Sequence, residues 1–146
     1  MRYQTFLPPT SLHGIVKYFW VFEMDGIDSQ EYHYRSMADG LAGIVFHIKG
    51  QFHEVKPNPF LRQADSMVHA QTAKFRRFVT YENFIVFGAY LYPTALPLLF
   101  GHSATSLSDE MPDLIALAGK SGRVLQSKIL DCKSDFERIR VLQAFL

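Results

Sequence analysis

The pattern of apolar and polar positions changes near residue 93 and divides the chain into two parts. Before this point, apolar residues recur at every second position, which is the period of a half-buried β-strand. Residues 84–92 are apolar on both faces, which predicts a strand covered by a barrel interior on one side and by helices on the other. Two further strands, at 16–23 and 42–49, show the alternation most clearly. The apolar face of the first is formed by Val16, Tyr18, Trp20 and Phe22. The apolar face of the second is formed by Ala42, Ile44, Phe46 and Ile48.

Shorter strands are predicted at residues 31–36, 52–55, 67–72 and 75–80. Between the first of these and the strand at 42–49, Ala38, Asp39 and Gly40 predict a tight turn, because aspartate offers a local hydrogen bond and glycine accepts a positive φ. The two prolines of segment 56–59 forbid regular strand pairing and predict a loop. The first part of the chain therefore contains six to eight strands.

After residue 93 the apolar period becomes 3.6, which is typical of helices. Thr94 is a predicted helix N-cap and Gly101 the residue that ends the same short helix. A second short helix opens at Pro112 and Asp113 and ends near Gly119, and a third carries Leu125, Ile129 and Cys132 on one face. Ser134 and Glu137 form a capping box. This box starts a last helix whose apolar stripe is Phe136, Ile139, Leu142 and Phe145.

Strands followed by helices define an α+β chain rather than an alternating βαβ chain. The 146 residues fit a single domain, with residues 1–92 as the β part and residues 93–146 as the helical part. A 48% share of apolar residues excludes a disordered chain. The net charge of +1 gives no strong field that would attract nucleic acid or an anionic membrane. With one cysteine, no membrane-length apolar run and no apparent signal peptide, we expect a cytoplasmic protein.

The histidines and the cysteine give little support for catalysis. The six histidines are scattered, and no pair stands at the i, i+2 spacing that points two ligands to one side of a strand. His47 and His53 remain an alternative metal pair, provided that a hairpin around Gly50 brings them together. Cys132 lies on an apolar helix face, where a thiol acts as a small hydrophobe. We therefore expect no catalytic residue, no metal and no cofactor, with a small metal-dependent enzyme as the alternative.

Two clusters allow a binding role. Lys74, Arg76 and Arg77 alternate with Phe75 and Phe78, a pattern that can bind single-stranded nucleic acid but is more often a solvated face. The aromatic residues of the β part exceed what a small core requires, so they predict either a ligand cavity or simple core packing. The side chains expected to line such a cavity are Tyr18, Trp20, Phe46, Tyr90 and Tyr92.

Four segments together carry a family resemblance. They are Pro9-x-x-Leu12 with the strand at 16–23, the turn at 38–40 with the strand at 43–47, residues 88–95, and Leu107-Ser108-Asp109 with the following Leu114 and Gly119. Their order and spacing resemble the N-terminal domain of AraC-type bacterial transcriptional regulators over nearly the whole chain. Ala38 and Thr94 stand where that family has a turn proline and a glycine.

The resemblance implies a cupin-like antiparallel β-barrel or sandwich that senses an unknown small-molecule effector. It also implies a homodimer formed by the C-terminal helices, with the dimerisation stripe at Phe136, Ile139, Leu142 and Phe145. Regulators of this type carry a DNA-binding domain of two helix-turn-helix units, which we expect after residue 146, so DNA would be bound only through that domain. A structural module without a ligand is the remaining alternative, and no membrane partner is expected.

Overall fold

The computed structural model describes residues 1–27, 30–35, 41–55, 61–70, 76–102, 107 and 111–146. These residues form an α+β structure of antiparallel strands followed by helices, as the sequence predicts. The strands are β1 (Arg2–Phe6), β2 (Val16–Met24), β3 (Tyr32–Arg35), β4 (Ala42–Lys49), β5 (His53–Glu54), β6 (Leu61–Arg62), β7 (Ser66–His69), β8 (Arg77–Thr80) and β9 (Phe84–Leu91). The helices are α1 (Ala95–Phe100), α2 (Leu114–Asp131) and α3 (Asp135–Phe145), and a 3-10 turn lies at Thr10–Leu12.

The described strands form two separate antiparallel sheets rather than one closed barrel. The first sheet has the order β1-β2-β9-β4-β7, and the second has the order β3-β8-β5-β6. One face of the first sheet packs against the second sheet, and the other face packs against the helices. The architecture is therefore an α+β sandwich, and the sandwich form of the expected fold is the one observed.

Strand β4 follows the predicted alternation, whereas β2 departs from it. Ile44 and Phe46 face the helices, and Val45 faces the second sheet. In β2, a register shift between Val16 and Tyr18 turns Val16 to the helix side, while Trp20 faces the second sheet. The expected common face of Val16, Tyr18, Trp20 and Phe22 is thus divided by a bulge that sequence alternation does not reveal.

Several predicted turns and loops cannot be compared with the structure. The turn at 38–40, the loop at 56–59 and the residues Lys74, Phe75, Ser108 and Asp109 lie outside the described residues. The strands β1 and β6 were not predicted. Strand β1 is an edge strand with three exposed central positions, so it lacks the apolar alternation that marks the central strands.

The helix boundaries agree closely with the sequence pattern. Gly101 ends α1 with φ 70°, and Thr94 occupies the N-cap position without a side-chain capping bond. Asp113 caps α2 by accepting a hydrogen bond from the backbone N–H of Ile115 at 2.8 Å. Gly119, with φ 59° and ψ −132°, kinks α2 where the sequence predicts a break between two helices.

The C-terminal helices lie across the outer face of the first sheet. Ile139 and Leu142 are buried within the chain, together with Leu114, Leu125 and Ile129 of α2. Phe136 is 74% exposed and meets only the edge of the ring of Phe6 among the described aromatic side chains. The predicted dimerisation stripe is therefore used in part to pack α3 inside its own chain. No helix in the described ranges is long and apolar enough to cross a membrane.

Candidate functional site

A cavity of about 90 Å³ lies between the two sheets. Trp20, Val45, Val86 and Tyr90 line it from the first sheet, and Tyr34 and Phe78 line it from the second. A buried water molecule needs about 10–15 Å³ on the same measure, so the cavity has room for several waters or for a small organic group. Its walls are mainly apolar, with a few polar side chains, which is typical of ligand-binding sites.

Two glycines in the central strands make room for the rings that form this wall. Gly88 of β9 pairs with Trp20 of β2, and a Cβ at Gly88 would lie 2.8 Å from the indole and 2.6 Å from the Ile44 carbonyl oxygen. Gly43 of β4 pairs with His69 of β7, whose ring would collide with a Cβ in the same way. The rings therefore lie directly against the strands, which leaves the space above them open.

Trp20 and Tyr90 form the centre of an aromatic wall. Their ring centroids are 5.9 Å apart, and Tyr90 also contacts Tyr18 at 5.1 Å and His69 at 6.2 Å. The indole Nε1 of Trp20 is buried and has no hydrogen-bond partner among the described residues. An unpaired buried donor costs about 1–3 kcal/mol.

His47 supplies a neutral polar group to the cavity. Its ring stacks on Phe52 with centroids 5.5 Å apart, and its Nδ1 lies 3.1 Å from the Ala64 carbonyl oxygen. A carbonyl only accepts, so Nδ1 donates and Nε2 is left as the acceptor of the neutral ring. Burial lowers the pKa of His47 below its usual 6.5, and this outweighs the opposing effects of the Ala64 carbonyl and of Asp65. The ring is therefore neutral at pH 7.

An ion pair lies beside the cavity. Arg76, which lines it, lies 3.3 Å from a carboxylate oxygen of Glu54, and both side chains are largely buried. Because each charge is compensated by the other, this pair contributes no net charge to the site. The described wall thus favours a ligand that is recognised by aromatic faces and a few hydrogen bonds.

The five side chains expected in the cavity lie at three different places. Trp20 and Tyr90 line the cavity, and Tyr18 packs beside them against Tyr90. Phe46 lies fully buried on the opposite face of the first sheet, stacked on Phe87. Tyr92 is 38% exposed at the end of the strand and does not line the cavity. Phe46 shares the strand face of Ala42 and Ile44, and only the position of the helices shows that this face is turned away from the cavity.

Sequence reasoning missed much of the wall. Tyr34, Phe52 and Phe78 come from the short strands and connections of the second sheet, whose pairing has no local signal. Arg76 and Phe78 belong to the basic and aromatic segment that was assigned to a solvated face. Phe78 is buried in the cavity wall, and Arg76 is largely buried and paired with Glu54, so the solvated-face prediction is wrong for Arg76.

The alternative metal pair is not brought together as a hairpin. His47 lies in β4 of the first sheet and His53 in β5 of the second, because the chain crosses between the sheets at Gly50. Gly50 has φ 79° and lies too close to the Asn83 carbonyl for a side chain. Within the described ranges, no group of three His, Cys, Asp or Glu side chains has a metal-binding arrangement.

The described surroundings of the single cysteine do not, in sum, activate its thiol. Its thiol donates a hydrogen bond to the Lys128 carbonyl at 3.1 Å. Burial raises the pKa of Cys132, and the nearby Glu137 acts in the same direction. A raised pKa keeps the thiol protonated, and a protonated thiol is a poor nucleophile.

The fold and the cavity define a class: an α+β sandwich domain with a ring-lined space between its sheets. The family model described as "Domain of unknown function (DUF6597)" matches residues 4–113, and the chain belongs to this family. The match begins inside β1, covers β2 to β9 and α1, and ends at Asp113, directly before α2 begins. A search of curated proteins gives no match.

Proposed function

We propose that this chain is the ligand-sensing and dimerisation domain of an AraC-type DNA-binding transcriptional regulator. It binds a small-molecule effector in the cavity between the sheets and acts by changing conformation, without catalysis. The observation that carries the proposal is the ring-lined cavity, whose floor strands β2, β4 and β9 hold the helices on their opposite face. The ordered motifs that resemble the sensor domain of these regulators support it. In this proposal the sandwich is of the cupin-like type.

Strand β1 offers a physical route from the cavity side to the helices. On one face of β1, the ring of Tyr3 lies 6.5 Å from that of Trp20. On the other face, Arg2 donates a hydrogen bond to Asp135 at the start of α3 at 2.8 Å and also pairs with Glu23 of β2. Asp135 in turn accepts a hydrogen bond from Arg138 at 2.8 Å. A ligand that shifts Trp20 and Tyr3 would therefore also shift the first turn of α3.

The helical pair supplies the proposed dimer surface. A groove between α2 and α3 is lined by Val124, Leu125, Val141 and Phe145, and Val124 is 44% exposed. In a symmetric dimer the same groove would be buried on both subunits. A ligand can change such an interface only by its difference in affinity between the two conformations, which is typically about 1–3 kcal/mol.

The decisive test examines the natural reading frame and, where it encodes a DNA-binding domain, uses the full-length protein. We expect that frame to continue beyond Leu146 for about 100 residues, the size of one domain, with two helix-turn-helix units. An effector found by its effect on the melting temperature should then change the DNA affinity of the full-length protein by about 5–150-fold.

A cavity-filling variant links that response to this site. Val45→Phe adds a ring to the cavity wall and should abolish the response to the effector, whereas Tyr81→Phe, on an exposed side chain, should retain it. Circular dichroism and the melting temperature of both variants verify folding. A reading frame without a DNA-binding domain, or an undiminished response in Val45→Phe, would contradict the proposal.

A further inference from the structure

Beside the cavity lies a second space, the outer chamber, which is lined only by aromatic residues among the described residues. This outer chamber has a volume of about 300 Å³. It shares Trp20, Phe22, Tyr34 and Tyr90 with the inner cavity, so the same four side chains border both spaces. Tyr3 of β1, which is 55% exposed, forms its outer rim. The sixth ring belongs to Tyr32.

The rings of the outer chamber face in several directions. Tyr3 is nearly parallel to Trp20, at 28°, but stands at 72° to Phe22. Phe22 is inclined by 58° to Tyr32 and by 45° to Tyr34. A flat ligand needs parallel walls to stack on more than one ring. A rounded group can instead contact the faces of several inclined rings at once. The inclined rings of the outer chamber therefore suit a rounded group.

The neutral aromatic faces of the wall favour a cation. No Lys, Arg, His, Asp or Glu side chain lines the outer chamber within the described ranges. The alternation of β1 places Arg2 on the opposite face of the sheet, where it is paired with Glu23 and Asp135. Burial by the neighbouring rings raises the pKa of Tyr3 to about 12, with a smaller effect of Tyr18, so its hydroxyl is neutral. The faces of neutral rings carry negative partial charge and attract cations.

We propose that the outer chamber binds the trimethylammonium group of a small quaternary-ammonium ligand. Such a group has no N–H donors, so a wall without carboxylates leaves no hydrogen-bond donor of the ligand unpaired. The ligand's remaining part points toward the inner cavity, with which the chamber shares Trp20, Phe22, Tyr34 and Tyr90. The role of this ligand as an effector rests on the proposed function, whereas its binding rests on the chamber alone.

The chain carries its own probe for this site, because Trp20 is the single tryptophan. Titration of the purified chain with choline, followed by intrinsic fluorescence, should give a saturable change. Saturation is expected by about 10 mM, which is ten times a Kd of about 1 mM. The neutral isostere 3,3-dimethylbutan-1-ol has the same shape without the charge, and it should bind at least about fivefold more weakly.

Variants at the rim separate the cation effect from apolar contact. Tyr3→Leu removes a π-face at an exposed position and should weaken choline binding about fivefold while leaving the isostere unchanged, whereas Tyr3→Phe should retain choline binding. Tyr81→Leu, at an exposed tyrosine that does not line the chamber, is the matched control and should bind as the unmodified chain does. Midpoints rather than amplitudes are compared, because a change beside Trp20 alters its emission.

The outcomes test the ammonium site and the proposed regulatory function separately. Equal affinity for choline and its neutral isostere, no saturation, or no effect of Tyr3→Leu would overturn the ammonium assignment. If another ligand then binds and changes DNA affinity, the proposed function stands without the ammonium site. If choline binds as expected but leaves the DNA affinity of the full-length protein unchanged, the ammonium site stands and choline is not the effector. If no bound ligand changes DNA affinity, the proposed function fails while the ammonium site stands.

Discussion

At the scale of single residues, the cavity depends on close contacts between rings and backbone. Trp20 lies across Gly88, and His69 lies across Gly43. Neither contact tolerates a Cβ, so these glycines are required by packing rather than by a positive φ. The sequence shows the glycines and the rings, but the pairing that brings them together is a property of the sheet.

The first prediction concerns Gly88. Gly88→Ala places a methyl group 2.6 Å from the Ile44 carbonyl oxygen and 2.8 Å from the Trp20 indole, so strands or rings must move apart. We expect a loss of about 1–3 kcal/mol in the free energy of unfolding, measured with urea. The control is Gly14→Ala, where a Cβ would have no neighbour within 4 Å. Equal stabilities of the two variants would contradict the packing described for Trp20.

The second prediction concerns the buried histidine. Because burial lowers the pKa of folded His47 below the unfolded value of 6.5, the unfolded chain binds a proton that the folded chain does not. Stability is therefore complete above pH 6.5 and falls as the pH decreases below it, by at most about 1.4 kcal/mol per pH unit. Asp65 and Arg62 are the charged groups that act on the ring.

The measurement compares unfolding free energies at about pH 7.5 and about pH 5.5. The loss between the two values should be smaller in His47→Gln than in the unmodified chain. His13→Gln, at an exposed histidine, should leave the loss unchanged. An identical pH dependence of the unmodified chain and His47→Gln would show that the ring does not titrate below 6.5.

At the scale of elements, the helices follow local signals that the sequence displays directly. Ser134 accepts a hydrogen bond from the Glu137 backbone N–H at 3.2 Å, as the predicted capping box requires. The Glu137 side chain returns to the Lys133 N–H at 2.7 Å, one residue before the cap. Gly119 breaks α2 and Gly101 ends α1. These boundaries were predictable because caps and left-handed glycines act within a few residues.

The third prediction tests this cap. Ser134→Ala removes the acceptor for the Glu137 N–H and should lower the free energy of unfolding by about 1 kcal/mol. Ser127→Ala, at an exposed position inside α2, is the matched control and should be neutral or slightly stabilising because alanine favours helices. The comparison is made by thermal or urea unfolding. An equal effect of the two substitutions would show that the box does not stabilise α3.

At the scale of the whole molecule, the stability of the first sheet depends on packing against both of its faces. The helix side of the first sheet buries Ile44, Phe46 and Phe87, which pack in one cluster with Leu125 and Leu142 of the helices. The other side buries Trp20, Phe84 and Val86 against the second sheet. The family match ends at Asp113, so it contains the whole second sheet but neither α2 nor α3.

The fourth prediction follows from that dependence. A chain of residues 1–113, which contains the whole family match, should lack cooperative unfolding, because removal of α2 and α3 exposes the apolar face of the first sheet. Within the intact chain, Leu125→Ala should cost about 2–5 kcal/mol, whereas Leu98→Ala, at a leucine of α1 that is 78% exposed, should cost much less. Circular dichroism during heating measures both effects. A cooperative transition in the short chain would contradict the prediction.

The sequence by itself determined that strands precede helices, where α2 and α3 begin, and the two-sided burial of residues 84–91, because each of these depends on periodicity or on neighbours along the chain. Tertiary structure alone decided which face of each strand meets the cavity. Phe46 and Trp20 look alike as members of alternating apolar strands, yet one packs under helices and the other forms the ring wall. Strand pairing joins residues far apart in sequence, so the composition of the cavity wall, from Tyr34 to Phe78, is fixed only when both sheets are assembled.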